Sequence, residues 1–460
     1  MEFLGDQGRD VYIIRDFLKH GNFFFIGPQT SIGNMYLGPW FYYLIAPSLL
    51  LGNFNPIGPA IFIALINIAT IILIFYIGQK WFNRPAGLIA SFLFAISPTV
   101  IKYSNFIWNP NIMPFFALLF IFFFFEAIFR SKYKFFIYAS LSFIMVINSH
   151  YLGLALLLLP GLYWLYSLIK FIRSQSKHLK PFITYSFLAF FIFLASLVPQ
   201  ILFDLKHNGQ NIKALIHFFT YRETTVSIKP YKAIPELPSI FNQVNTDLIA
   251  GRDSLAGIII SSIFALLIII SLVKIRNKNH KIWLILTWYI FGLVALALYK
   301  QHIYAHYFGF IFPAVFLLIG FLIQKFKIIG LPLFIIISWY SLSNNPIRWP
   351  ANYQLQTTQK IADSIIEKSD NQKYNFSLLA KQNYDPPYRY LLTQKDETKL
   401  VNLQDQVTDQ LFVVCEPFQI ECHPINNPEW SIAAFGWAKI DSQWEINGIK
   451  VYKLIHPQTD

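Results

Sequence analysis

The feature that most constrains this chain is a series of long apolar runs with almost no charge inside them. Ile57–Ile77, Ile112–Phe129, Leu152–Ile169, Leu255–Val273 and Ile303–Ile323 are each close to the ~20 residues a helix needs to cross a bilayer. A buried helix of a soluble protein would be shorter and would keep a polar stripe, which these runs lack. Only 13% of the residues are charged, about half the usual share of a soluble domain, so the chain has too little polar surface to dissolve. The pattern predicts a polytopic, all-α membrane domain and excludes a large soluble helical protein.

Lys and Arg exceed Asp and Glu by 13, a balance that in a soluble protein would suggest nucleic acid. The positions argue otherwise. Fifteen basic residues fill alternate short gaps between the apolar runs: Lys80 and Arg84; Arg130, Lys132 and Lys134; Lys170, Arg173, Lys177 and Lys180; Lys274, Arg276, Lys278 and Lys281; Lys325 and Lys327. The other short gaps hold only Lys102 and Lys300. This is the positive-inside asymmetry, which places the fifteen in the cytoplasm. It implies a multi-pass protein of the plasma membrane with both ends extracytoplasmic, and no nucleic-acid partner.

Three segments follow. Residues 1–57 hold Asp6, Arg9, Asp10, Arg15, Asp16 and Lys19 opposite an apolar face of Val11–Ile14, Phe17 and Leu18, which suggests a helix lying on the membrane surface. Trp40–Leu51 is apolar but too short to span, so it is expected to be interfacial or re-entrant. A loop delivered outside is ordinarily preceded by a membrane-inserting helix, so one is expected upstream of Met1. Residues 58–345 hold about ten expected spans, near 58–78, 85–102, 112–129, 134–150, 151–170, 182–203, 255–273, 282–299, 303–323 and 328–342, interrupted by a long outside loop over 204–253. Residues 346–460 turn polar, with strand-like Leu411–Val414 and Ile449–Leu454 and helix-like Gln359–Lys368, and read as a small extracytoplasmic α/β domain. Cys415 and Cys422, the only cysteines, lie in it. A bridge and two free thiols are both open, and a zinc site lacks ligands beyond His423.

Few residues are placed to do chemistry. Gly5-Asp6-Gln7-Gly8-Arg9-Asp10 sets two acids beside the membrane. Asp6 suits a helix N-cap, with Asp10 and Arg9 on a solvated face, and the same pair suits catalysis. Tyr103-Ser104-Asn105, Trp108-Asn109-Pro110-Asn111, Asn148-Ser149-His150-Tyr151, Lys300-Gln301-His302 and Tyr304-Ala305-His306-Tyr307 fall at one membrane face. Several Asn/His/Tyr turns at one depth predict the rim of a polar cavity. His302 and His306, four residues apart, would share a helix face. A divalent metal ion there lacks an acidic third ligand, and contact with phosphate or sugar hydroxyls suits them better. No phosphate-binding glycine loop, dinucleotide fingerprint, serine-hydrolase elbow or zinc-peptidase motif is present.

These motifs together resemble the C-type (GT-C) glycosyltransferases. The acidic first loop is similar to their Asp/Glu motif, and Tyr36-Leu37-Gly38-Pro39-Trp40-Phe41-Tyr42-Tyr43 to their Pro-rich loop. Pro85-Ala86-Gly87-Leu88-Ile89-Ala90 with Ser97-Pro98, and His306-Tyr307 with Pro313, are similar to later spans. Over roughly residues 1–325 the likeness is nearest to family 39, the dolichyl-phosphate-mannose–protein mannosyltransferases and bacterial relatives such as the lipid A aminoarabinose transferases. It implies a GT-C-like membrane domain and a polyprenyl-phosphate-sugar donor lipid. Transfer would be to an extracytoplasmic hydroxyl of protein, lipid or glycan. Asp6 would be the general base and Asp10 its backup or orienting group, with Arg9, Tyr103, Asn105, Asn109, Asn111, His150, Lys300, His302, His306 and Tyr307 toward donor or acceptor. Departures stand out: Gln7 replaces a second acid of the mannosyltransferases, Asn105 stands where relatives often carry Arg, and Asn109 or Asn111 where many have Asp. The other readings are a polysaccharide polymerase or ligase, which the 204–253 loop would suit, and a lipid-linked sugar transporter, which the nearly uncharged spans disfavour.

Overall fold

The computed structural model describes residues 1–30, 34–221, 225–227, 229–274, 279–381, 383–416 and 422–457, the Lys274 side chain aside. Arg276 and Lys278 of one basic gap lie outside the described residues. The chain forms two compact units that do not follow the order of the segments 1–57, 58–345 and 346–460. One unit joins Met1–Asn22, Ser48–Gly58 and Pro350–Asp460, and the other comprises Phe23–Pro47 and Pro59–Trp349.

The larger unit is helical. Among the described residues, eight helices are long and apolar enough to cross a membrane: Ile57–Trp81, Asn109–Phe129, Tyr151–Arg173, Leu179–Lys206, Ser254–Val273, His280–Ala297, Ala305–Lys325 and Lys327–Arg348. They coincide with eight of the ten expected spans. The other two expected spans are shorter helices. The stretch 85–102 breaks into Arg84–Ile96 and Pro98–Tyr103, because Ser97 before Pro98 takes an extended conformation (ψ 123), as steric conflict with a following proline ring dictates. Ser97 Oγ and Thr99 Oγ1 then donate to the Leu248 and Asp247 carbonyls, at 2.8 and 2.5 Å. The stretch 134–150 is the 15-residue helix Phe135–Ser149, about 22 Å long at 1.5 Å per residue.

Apolar residues face both ways on the spans. On Ile57–Trp81, Ile63, Ile74 and Ile77 are buried while Ile61, Leu65, Ile68 and Ile72 are exposed one helical turn apart. An apolar outer face of this kind suits lipid and not water. Small residues set the closest approaches. A Cβ on Gly78 would stand 2.7 Å from Gly87 Cα, and one on Gly320 2.7 Å from the Ala86 carbonyl. The Ala86-Gly87…Ala90 motif is thus a packing surface that lets three helices meet backbone to backbone. Glu126, buried in its span, is neutralised by Lys80 and Lys132, each at 3.0 Å.

The smaller unit has a four-stranded sheet in the order β1-β2-β4-β3: β1 (Asn375–Leu379), β2 (Gln410–Cys415), β3 (Lys439–Ile446) and β4 (Ile449–Ile455). β1 and β2 are parallel and joined across the Pro386–Lys395 helix, as a parallel pair requires; β2–β4 and β3–β4 are antiparallel. Asn447-Gly448 turns the β3–β4 hairpin with both φ angles positive (51° and 81°), the conformation a two-residue turn selects. The expected strands over 411–414 and 449–454 and the helix over 359–368 are present, and β1 and β3 add to them. Cys415 and Cys422 form a disulfide.

Candidate functional site

In the smaller unit the acidic motif opens the Gly5–His20 helix. The residue preceding the helix is Leu4, so Asp6 is not the N-cap; it sits in the first turn, where a carboxylate is favoured by the helix dipole. Gln7 Oε1 instead accepts the Leu4 N–H at 2.9 Å. Asp6 and Asp10 are four residues apart and share a face, with Arg9 between them. Arg9 Nη1 reaches Asp6 Oδ1 at 2.8 Å, while its Nε and Nη2 reach Asp10 Oδ1 at 2.9 and 2.8 Å. The two acids are not equivalent. The Asp6 side chain is 48% exposed and Asp10 is fully buried. Oδ2 of Asp6 makes no hydrogen bond among the described residues.

Part of the apolar face expected to meet the membrane surface is covered by protein, for Val11 and Ile14 are fully buried. The helix packs along the Pro386–Lys395 helix, and glycines permit the approach: a Cβ on Gly8 would stand 2.3 Å from Pro387 N, and one on Gly5 2.7 Å from Tyr384 Cδ2. Arg15 donates to Glu397 at 2.8 Å and to the Thr393 carbonyl at 3.3 Å. That hydrogen bond holds the Glu397 carboxyl below its usual range. In the same unit Gln394 Nε2 donates to the Phe54 carbonyl at 3.0 Å, and Tyr390 Oη donates to it as well.

In the larger unit, turns far apart in sequence converge. The His306 ring lies 4.2 Å from Trp108, 4.6 Å from Tyr307 and 6.1 Å from Tyr103; His150 lies 4.5 Å from Tyr307. His306 Nδ1 is buried without a hydrogen-bond partner among the described residues. It borders a cavity of about 20 Å³ that Tyr103, Asn111 and Asn67 also line, room for about one water. The asparagines divide by role. Asn109 Nδ2 donates to the Ser149 carbonyl at 2.6 Å and Asn111 Nδ2 to the Phe106 carbonyl at 2.7 Å; their amides hold backbone. Asn105 is exposed. Asn148 Oδ1 accepts the Trp40 N–H at 3.3 Å and Tyr151 Oη donates to the Tyr36 carbonyl at 2.8 Å, so the 148–151 turn clamps the Pro-rich loop.

Lys300 and His302 belong to a different hollow. They line a cavity of about 470 Å³ with Ser227, Lys232, Glu236 and Gln243. Its wall is shaped by pairing between the two segments: Ser227 N–H donates to the Leu298 carbonyl at 2.8 Å and Lys300 N–H to the Thr225 carbonyl at 2.9 Å. His302 precedes the short helix Ala305–Ile311 that holds His306, so the two histidines do not share a helix face as their spacing suggests. Among the described residues no group of three His, Cys, Asp or Glu could hold a metal ion. Sequence reasoning missed Lys232, Glu236 and Gln243. Their one signal was the length of the 204–253 loop, which said that something was covered without saying by which side chains.

Residues 37–199 match the dolichyl-phosphate-mannose-protein mannosyltransferase family. The matched stretch contains Tyr103, Asn105, Asn109, Asn111 and His150 but neither the acidic motif nor residues 300–307. No curated protein sequence matches the chain. The fold is that of ArnT from Cupriavidus metallidurans. The apo form superposes with a TM-score of 0.60 at 11% identity, and the form bound to undecaprenyl phosphate with 0.58 at 10%. Each comparison covers 98% of this chain and 94% of ArnT. A mostly helical fold with a small sheet-containing region near the C-terminus is therefore shared over nearly the whole length of both chains.

Proposed function

We propose that the protein is a plasma-membrane glycosyltransferase that moves a sugar from a polyprenyl-phosphate-linked donor to an extracytoplasmic hydroxyl, with Asp6 as general base. The observation that carries this is the state of the Asp6 carboxylate: half-exposed, with one oxygen held by Arg9 and the other without a hydrogen bond among the described residues. It is supported by the mannosyltransferase-family stretch and by the ArnT-like fold, ArnT having been seen with undecaprenyl phosphate bound.

An acceptor hydroxyl is a weak nucleophile until its proton is taken as it attacks. Asp6 Oδ2 accepts that proton, the hydroxyl oxygen forms a bond to the anomeric carbon, and the carbon–oxygen bond to the lipid phosphate breaks on the opposite face. The electron pair leaves with the phosphate, and the sugar inverts. Buried Asp10 is a positioning residue that fixes Arg9, and through it the orientation of Asp6. Developing charge on a leaving phosphate calls for cations and hydrogen-bond donors, the residue types that Lys300, Lys232 and His302 bring to the 470 Å³ cavity of the larger unit. His306, Tyr307, His150 and Tyr103 are assigned a packing role within the larger unit, since the cavity that His306 and Tyr103 border has room for about one water. The participation of the 204–253 loop in that cavity also favours a second reading, a polysaccharide polymerase or ligase, in which the acceptor is a growing glycan.

The test uses the full chain in nanodiscs, given undecaprenyl-phosphate carrying radiolabelled hexose or pentose and a cell-envelope fraction as acceptor. Asp6→Asn is expected to abolish transfer with unchanged elution and melting, and Lys300→Ala to raise the donor KM. Wild-type turnover by Asp6→Asn refutes the assignment, and label found only in long glycan selects the polymerase reading.

A further inference from the structure

We propose that the smaller unit carries a second, non-catalytic site that binds a neutral saccharide, built around Trp437 and Asn426. A cavity of about 280 Å³ lies there, lined by Asn426, Asn427, Ile432, Phe435, Trp437 and Leu454 among others. Its volume is near the lower end of ligand sites, about 300–1,000 Å³, and suits one or two sugar rings. No lining residue is ionisable, so nothing there would compensate a phosphate or a carboxylate, and the occupant is uncharged.

The wall combines the two surfaces that sugar recognition needs. Trp437 is 87% exposed, a large flat apolar face that folding leaves uncovered. The axial C–H groups of a pyranose form an apolar patch of matching shape, with hydroxyls around the rim. Asn426 is exposed and its amide makes no hydrogen bond among the described residues, leaving two donors and an acceptor for those hydroxyls. An apolar peptide side chain in the same cavity would dry that amide and leave it unsatisfied, at a cost of about 1–3 kcal/mol.

The site is also preorganised. Gly436 has φ 89° and ψ −153°, a region essentially closed to residues with a Cβ, and this turn leads directly into Trp437. His456 Nδ1–H donates to the Trp437 carbonyl at 3.0 Å, and its ring stacks on Phe435 at 4.3 Å. Asn427 is spent on the turn itself: its Nδ2 donates to the His423 carbonyl at 2.9 Å and its Oδ1 accepts the Glu429 N–H at 3.0 Å. The disulfide partner Cys422 and Ile425 pack on the same core as Ile432, Phe435 and Leu454. A rim tied this closely loses little freedom on binding. None of this uses Asp6 or the transfer reaction.

Saturation-transfer NMR on the full chain in nanodiscs, with mannotriose, cellotriose and triacetylchitotriose as probes, tests the site. At least one trisaccharide is expected to receive saturation at its ring C–H protons, reduced at least fivefold by Trp437→Ala and by Asn426→Ala and unchanged by Asp6→Asn. Trp437 is so exposed that its replacement removes no core packing; Trp437→Phe, which keeps a flat ring, should retain most of the signal. Saturation of no probe by the wild type overturns the proposal, as does saturation indifferent to Trp437→Ala. Loss in Asp6→Asn assigns the sugar to the transfer site and likewise overturns it, while the transfer reading would still stand.

Discussion

Gly8 sits where the Gly5–His20 helix crosses the Pro386–Lys395 helix, and replacing it should loosen the element that carries Asp6. A Cβ there would lie 2.3, 2.6 and 2.7 Å from Pro387 N, Pro387 Cα and Pro386 C. These are backbone atoms that no rotamer change can move aside. Ordinary carbon contact needs about 3.5 Å or more, so the helix must back away by roughly 1 Å. Overpacking of this kind costs about 1–3 kcal/mol. Alanine returns about 1 kcal/mol through helix propensity, leaving Gly8→Ala less stable locally by about 1 kcal/mol. Leucine, with more volume in the same gap, should lose about 2 kcal/mol. Differences of about 1–2 kcal/mol shift a local opening equilibrium roughly 5–30-fold. Hydrogen–deuterium exchange on peptides covering residues 5–20 reads this directly: exchange should quicken about fivefold in Gly8→Ala and more in Gly8→Leu, with the spans unchanged. Transfer activity should fall further than stability, because a displacement near 1 Å at reacting groups costs up to about 100-fold. Equal or greater protection of residues 5–20 in Gly8→Ala would refute the packing argument.

Two further outcomes follow from single contacts. Glu397, held below its usual pKa by Arg15, stabilises the smaller unit above the unfolded carboxylate pKa of about 4.3, and that contribution disappears as pH falls through the lower folded value. Melting of the wild type should therefore drop more between about pH 5 and 3 than that of Arg15→Ala, by less than about 1 kcal/mol given the partial exposure of Glu397; parallel pH profiles would contradict this. Asn109→Ala removes the donor to the buried Ser149 carbonyl and should destabilise the larger unit by about 1–3 kcal/mol, read as a lower melting temperature. A variant that melts like the wild type but has lost donor affinity would return Asn109 to the binding site.

How much could be read from the chain alone depends on whether the physics is local. Span positions were legible because transfer of a segment into hydrocarbon is a nearly additive sum over its own residues, and eight predicted runs recur as helices. β2 and β4 were legible for the same reason, each a short run of mostly apolar residues. β3 was hidden because it is an edge strand whose Lys439–Ile446 sequence alternates around exposed residues and leaves no buried stripe to detect. The expected span over 85–102 had apolar composition in its favour, but hydropathy takes no account of the Ser97-Pro98 break.

The candidate site shows the same division. Residue type alone drew attention to Asp6, Arg9 and Asp10, and to turns rich in His, Tyr and Asn. Only the tertiary structure decided which acid is buried and which exposed, since that follows from the helix packing against residues nearly 380 positions away. Only it separated Asn109 and Asn111, committed to carbonyls, from His306, whose Nδ1 has no partner among the described residues, and brought Lys232 to the same cavity as Lys300. Hydrophobicity and charge asymmetry are written residue by residue, whereas burial of a single carboxylate is set by neighbours that the chain supplies from elsewhere.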